Sequence, residues 1–150
     1  MDDVDKIIIN ELQKNCKITT KKLARKLNLP ISTVFTRIKN LERQGIIKEY
    51  KAILDAKKLN KSTTAFILLS YDPSYKISQE KVAKKLSLIP NVQEVHIITG
   101  EWDILIKIKS ENVEELGRII LNKIREIEGI EKSYSLIVLK TIKETTEIQI

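Results

Sequence analysis

Two short stretches place chemistry-bearing side chains at suggestive spacing. The first is STVFTRIKNLER, residues 32–43, where hydroxyls and an amide alternate with Lys39 and Arg43 among Val34, Ile38 and Leu41. Hydroxyls and amides exchange hydrogen bonds with base edges, and cationic side chains hold phosphates. The second is TGEWD, residues 99–103, which gathers the only tryptophan, one of four glycines and two acids. So rare an aromatic in a turn is either a packing contact or one wall of a site for a small molecule.

The elements that carry the first stretch follow from periodicity. Val4, Ile8 and Leu12 recur at helical spacing with Ile7 beside them, predicting a helix over 3–15 that Asp2 or Asp3 caps. A second helix is expected over 20–27, with Leu23, Ala24 and Leu27 inward and Thr19 or Thr20 as its cap. After Asn28-Leu29-Pro30 a third is expected over 31–44, ended by Gly45. At about 100° per residue, Val34, Ile38 and Leu41 form one narrow apolar stripe. Ser32, Thr36, Lys39, Asn40 and Arg43 fall opposite, with Thr33 and Phe35 on the flanks, and that far face has no acid. Arg37 lies only about 60° from the stripe; an internal ion pair and a DNA contact fit it equally.

Two short helices around a tight break, the second basic and polar outward, predict a helix-turn-helix. In that arrangement Ser32, Thr33, Phe35 and Thr36 read bases. Lys39, Asn40 and Arg43 hold phosphates, joined by Thr20, Lys21 and Lys22 at the start of the second helix. Residues 46–54, IIKEYKAIL, alternate enough to predict a strand or ribbon, making the module a winged helix-turn-helix with Lys48 and Lys51 as further phosphate contacts.

Charge agrees with this division. Residues 1–60 carry 14 Lys/Arg against 7 Asp/Glu, a net of +7, whereas residues 61–150 carry 13 of each. A basic module that meets a polyanion is joined to a neutral one.

The second stretch belongs to the neutral part. Past a connector at 55–62, strands are expected at 63–71, 92–98, 103–109 and about 131–140. Helices are expected at 77–88 and 111–127, the latter burying Val113, Leu116, Ile120, Ile124 and Ile127. The order βαββαβ, with a weak repeat between Ile89-Pro90-Asn91-Val92 and Ile127-Glu128-Gly129-Ile130, predicts a ferredoxin-like αβ-sandwich. The chain is therefore expected to be α+β, with a winged helix-turn-helix at 1–54, a connector at 55–62 and a ferredoxin-like domain at 63–150.

Other classes find little support. His96, the only histidine, sits in an apolar strand pattern, and Cys16, the only cysteine, has no histidine partner. No spacing suits a metal and no glycine loop suits a phosphate. An enzyme is therefore not expected, nor a metal or cofactor. The acidic N-terminus lacks a secretion pattern and no apolar run is long enough to span a bilayer, so a cytoplasmic protein without membrane contact is expected.

Together the two halves resemble the Lrp/AsnC (feast/famine) transcription regulators. The N-terminal resemblance runs from Asp5 to Leu54 and includes Arg37, Leu41, Glu42, Gly45 and Ile46. The C-terminal one is the hairpin signature from Val95 through Thr99-Gly100-Glu101-Trp102-Asp103-Ile104. One departure is Pro30, where the family usually begins its recognition helix with Ser; Ser32 is the candidate to take over the capping or polar role.

The resemblance implies binding to duplex DNA and self-assembly as dimers, then octamers or other multiples. It also implies a free amino acid held by the C-terminal domains between dimers. Such a ligand needs an acid for its ammonium and N–H groups or hydroxyls for its carboxylate. Asp103 suits the first, Gly100 allows close backbone approach, Thr99 shares the turn, and Trp102 walls the site. By the same resemblance a neighbouring subunit adds Ser133 and Ser135, which alternate on one face with Tyr134 on the other. The competing expectation is an effector-independent architectural protein that coats or wraps DNA.

Overall fold

A computed structural model describes all 150 residues. It divides into two compact units, residues 1–53 with 143–150, and residues 54–142. The last eight residues thus group with the N-terminal unit rather than with the domain expected over 63–150.

The first unit holds three helices: α1 (Asp3–Lys14), α2 (Thr20–Leu27) and α3 (Ile31–Arg43). Asp2 caps α1 in a capping box: its carboxylate accepts from the Asp5 N–H while the Asp5 carboxylate accepts from the Asp2 N–H. Thr19 caps α2 by accepting from the Lys22 N–H. Ile8, Leu12, Leu23, Ala24, Val34 and Leu41 form the core, with Ile38 and Ile47 packed against it.

Helix α3 starts directly after Pro30, whose fixed φ suits a helix start, and no side chain caps it. Of the capping and polar roles open to Ser32, capping is therefore not taken. Gly45, at φ +70°, ends the helix: its N–H reaches the Glu42 carbonyl while the Ile46 N–H reaches that of Leu41.

The strand expected over 46–54 does not form. The Ile46 and Ile47 N–H groups both turn back to the Leu41 carbonyl, and no segment of the chain pairs with the rest. Alternation supplies a pattern, but a ribbon also needs a partner.

The second unit follows the expected βαββαβ order. Strands β1 (Thr63–Tyr71), β2 (Val92–Ile97), β3 (Ile104–Ser110) and β4 (Ile130–Ile137) form one antiparallel sheet in the order β2-β3-β1-β4. Helix α4 spans Gln79–Ser87 and α5 spans Val113–Ile119. The second helix was expected to run regularly to 127; instead it passes into a π-helical turn over Ile120–Ile124. That turn keeps both Ile119 and Ile124 buried, whereas Val113, expected inside, is 57% exposed.

Strand alternation assigns each side chain to a face. Ala65, Ile67, Leu69, Ile104, Ile106 and Ile108 are fully buried beneath Val82, Leu86 and Leu116 of the helices. Each such Ile or Leu removes enough apolar surface to favour folding by about 1.5–3 kcal/mol. The opposite face carries Phe66, Leu68, Leu105, Tyr134 and Leu136, and no helix covers it.

Candidate nucleic-acid interface and effector turn

Helix α3 is held from one side by an acid clamp. The Arg37 guanidinium donates to both carboxylate oxygens of Asp2 and to Asp5, each at 2.8 Å. This decides the ambiguity of Arg37: its charge is spent inside the unit, tying the middle of α3 to the first turn of α1. The Asp5 backbone N–H, followed by Arg37, holds the Asp2 carboxyl below its usual value.

The far face of α3 is open. Ser32, Phe35, Thr36, Lys39 and Arg43 are exposed, and Thr33 and Asn40 are half-buried on the flank towards Arg37. Ser32, Thr33, Thr36, Arg37, Asn40 and Gln44 line a shallow hollow of about 540 Å³. Gln44 was not expected there; it follows Asn40 by one helical turn.

The two cations of this face are lightly tethered. Lys39 reaches Glu42 at 2.7 Å and lies 5.9 Å from the Phe35 ring centre, and Arg43 donates to the Asn40 side chain at 2.9 Å. Exposed ties of this kind contribute little to stability and exchange readily for a phosphate. The Tyr50 hydroxyl donates to the other Glu42 oxygen. Partial burial, then that carboxylate, pushes the Tyr50 hydroxyl up to about 12. Thr20 is half-buried at the start of α2, while Lys21, Lys22, Lys48 and Lys51 are exposed; Lys51 pairs with Glu49 at 2.7 Å.

The turn at 99–103 lies in the second unit, at the end of the β2–β3 hairpin. Gly100 has φ +119°, a conformation that disfavours side chains, and a Cβ there would meet nothing within 4 Å. Asp103 is already engaged: its carboxylate accepts from the Tyr71 N–H at 2.8 Å, and its own N–H reaches the Leu69 carbonyl. One carboxylate oxygen thus extends the β1–β3 pairing past the end of the strands. Trp102 stacks on Tyr134, with ring centres 6.0 Å apart and planes inclined by 27°.

Within one chain the effector candidates do not converge. Ser133 and Ser135 stand opposite Leu69 and Ile67, on the face the helices cover, whereas Tyr134 stands opposite Leu68 on the open face with Trp102. Ser133 also accepts from the Arg125 guanidinium at 3.1 Å. Tyr134 was not among the expected site residues; the period-two alternation that set it apart from the serines is the signal that places it beside Trp102.

Other reactive residues stay apart. Cys16 is exposed and unpaired, and His96 is exposed and meets Glu94 at 3.3 Å. No cluster of His, Cys, Asp or Glu is placed to hold a metal ion, and no helix is long and apolar enough to cross a membrane.

Comparison with known proteins covers nearly the whole chain. Residues 1–48 match the winged helix-turn-helix DNA-binding model, and residues 64–148 match that of the Lrp/AsnC ligand binding domain. An HTH-type transcriptional regulator of Pyrococcus furiosus, PF0250, is 44% identical over 144 residues, 96% of each chain. The HTH-type transcriptional regulator FL11 of the same organism is 37% identical over 150 residues, covering 100% of this chain and 97% of its own. Among solved structures, transcriptional regulator NMB0573 of Neisseria meningitidis in its L-Met complex superposes with a TM-score of 0.93 at 29% identity. That match covers 99% of this chain and 96% of the other. AsnC of E. coli superposes with a TM-score of 0.88 at 25% identity, covering 98% and 97%.

Proposed function

Since this chain belongs to the Lrp/AsnC family of DNA-binding transcription regulators, and not to a family of enzymes, we propose that it binds particular promoter sequences and that a free amino acid alters this binding. The observation that carries the DNA half is the outward face of α3, where Ser32, Phe35, Thr36, Lys39 and Arg43 stand exposed with no acid among them. Ser32, Thr33, Phe35 and Thr36 read base edges; Lys39, Asn40 and Arg43, with Thr20, Lys21 and Lys22 of α2, hold phosphates.

The effector half rests on the turn. Gly100 leaves open space above its backbone, and Asp103 directs one carboxylate oxygen to Tyr71, leaving the second to take an ammonium group. Thr99 and Trp102 flank it, and Ser133 and Ser135 come from a neighbouring subunit. The L-Met complex of the Neisseria relative supports an amino acid as the ligand class. Self-association is favoured by the uncovered sheet face, where Tyr134 and Leu136 are 54% and 43% exposed. The domains act as a DNA-binding module (1–54), a connector (55–62) and an effector and assembly module (63–150) in the cytoplasm.

A second reading keeps the DNA half alone. It is favoured by the work Asp103 and Trp102 already do within the fold, holding the Tyr71 N–H and stacking on Tyr134. Selecting duplexes from a random pool, with and without a mixture of the twenty amino acids, tests both. Enrichment of one motif whose retention shifts with the mixture is expected. An enriched motif indifferent to the mixture favours the second reading, and no enrichment overturns the sequence-specific binding on which both rest.

A further inference from the structure

We propose that Phe35 sets sequence preference by placing its ring against the C5 methyl group of a thymine, so that the DNA site carries a required T beneath each copy of α3. This rests on the reading that α3 enters the major groove, and it adds which base one side chain selects and why.

On a face otherwise built from hydroxyls, an amide and cations, Phe35 and Ile31 are the apolar exceptions. Phe35 is 53% exposed, and Ile31, one helical turn before it, is 51% exposed. The pair makes an apolar strip in the N-terminal half of α3, the half that approaches base edges. Isolated exposed apolar side chains are common on protein surfaces. This one has a charged neighbour: Lys39, on the next turn, brings its ammonium to 5.9 Å from the ring centre. With Phe35 turned to the groove floor, the same cation would face the phosphate wall.

The chemistry of the groove then decides the base. Guanine presents two acceptors there, cytosine a donor, adenine an acceptor and a donor, and thymine an acceptor beside a methyl group. A phenyl ring offers no conventional hydrogen bond. Set against guanine, cytosine or adenine, it strips water from polar atoms and returns nothing, which is unfavourable. Set against the thymine methyl, it buries apolar surface on both partners. Ser32 and Thr36, which both donate and accept, tolerate several bases; Phe35 does not.

The test uses the full-length protein and a duplex enriched by it from a random pool. Each thymine of the enriched motif is replaced in turn by deoxyuridine, which removes only the methyl group. Wild type is expected to lose about three- to fivefold in affinity at one position per copy of α3, the change for one buried methyl. Phe35→Ala should bind the parent duplex more weakly and be indifferent to that replacement, while Phe35→Leu should keep part of the dependence. Phe35 is exposed and alanine favours helix, so the variant remains folded. Methyl dependence unchanged in Phe35→Ala overturns the proposal. So does an altered oligomeric state with unchanged methyl dependence, which would put Phe35 in a subunit contact. Absence of any enriched duplex overturns instead the reading on which it rests.

Discussion

Arg37 and Asp2, 35 residues apart in sequence, meet through a single guanidinium nitrogen that lies 2.8 Å from both carboxylate oxygens. The bond joins the cap of α1 to the middle of α3, so the orientation of the recognition helix depends on the first turn of the chain. Arg37→Ala is expected to weaken DNA binding without lowering its salt dependence, because Asp2 and Asp5 already neutralise this charge. Affinity measured across salt concentrations checks it: a slope reduced by about one would make Arg37 a phosphate contact.

The same clamp predicts a pH effect. The folded Asp2 carboxyl sits below its usual value, held there by the Asp5 N–H and then by Arg37. A depressed carboxylate contributes stability above its unfolded value, about 3.9, and loses it as pH falls through the lower folded value. Asp2→Asn keeps the capping function but removes the charge. Its melting temperature should fall below wild type at pH 7; the gap should begin to narrow as pH falls below about 4 and close only once the folded carboxyl is itself protonated. A gap that does not narrow at all as pH falls below about 4 would assign the loss to something other than ionisation.

Lys39 and Arg43 should behave as phosphate contacts. Alanine at either position is expected to weaken binding to all duplexes alike and to lower the salt slope by about one. Glu42→Gln works in the other direction, since it releases Lys39 and removes the carboxylate beside the DNA-facing surface. Tighter binding at low salt is expected, converging with wild type at high salt. The same variant should lower the Tyr50 titration midpoint from about 12 while leaving it raised by burial, read by ultraviolet titration.

The origin of each of these contacts marks what the sequence could disclose. Helical periodicity is local, so the three N-terminal helices, the outward face of α3 and the βαββαβ order were legible. Arg37 was not, because an angle of about 60° from the apolar stripe suits either a buried partner or DNA, and its partners lie more than thirty residues away. The strand expected over 46–54 failed for a related reason: alternation describes a strand's faces, not the presence of a neighbour to pair with. The five-residue π-helical turn at Ile120–Ile124 leaves no mark on a pattern read at 3.6 residues per turn. At the TGEWD turn the residue types were legible and their partners were not. Trp102 meets Tyr134 from another strand, and Asp103 meets the backbone of Tyr71.

That last contact separates two substitutions. Asp103→Ala leaves the half-buried Tyr71 N–H without its acceptor and is expected to destabilise the second unit by about 1–3 kcal/mol even without ligand. Asp103→Asn retains an acceptor oxygen and should lose much less. Thermal unfolding of the two variants checks the difference; equal losses would mean that charge, rather than the hydrogen bond, is what the site requires.

Two glycines of the second unit should also respond unequally. A Cβ at Gly129 would lie 3.0 Å from both Ile77 Cγ2 and Val82 Cγ2, at φ +94°, whereas one at Gly100 meets only open space. Gly100→Ala should cost about 1–3 kcal/mol through backbone strain alone. Gly129→Ala adds overpacking of about 1–3 kcal/mol. Denaturant titration of both variants compares the two; similar losses would show that the core around Ile77 and Val82 yields without cost.

The most direct test of the central claim is the melting temperature of the purified protein against each of the twenty amino acids in turn, for wild type and for Asp103→Asn. One or a few amino acids should stabilise wild type in a concentration-dependent manner, and Asp103→Asn, folded but lacking the charge for the ammonium, should lose that stabilisation. A protein that no amino acid stabilises, while duplex DNA still does, would contradict the effector claim and leave Trp102 and Asp103 as parts of the fold alone.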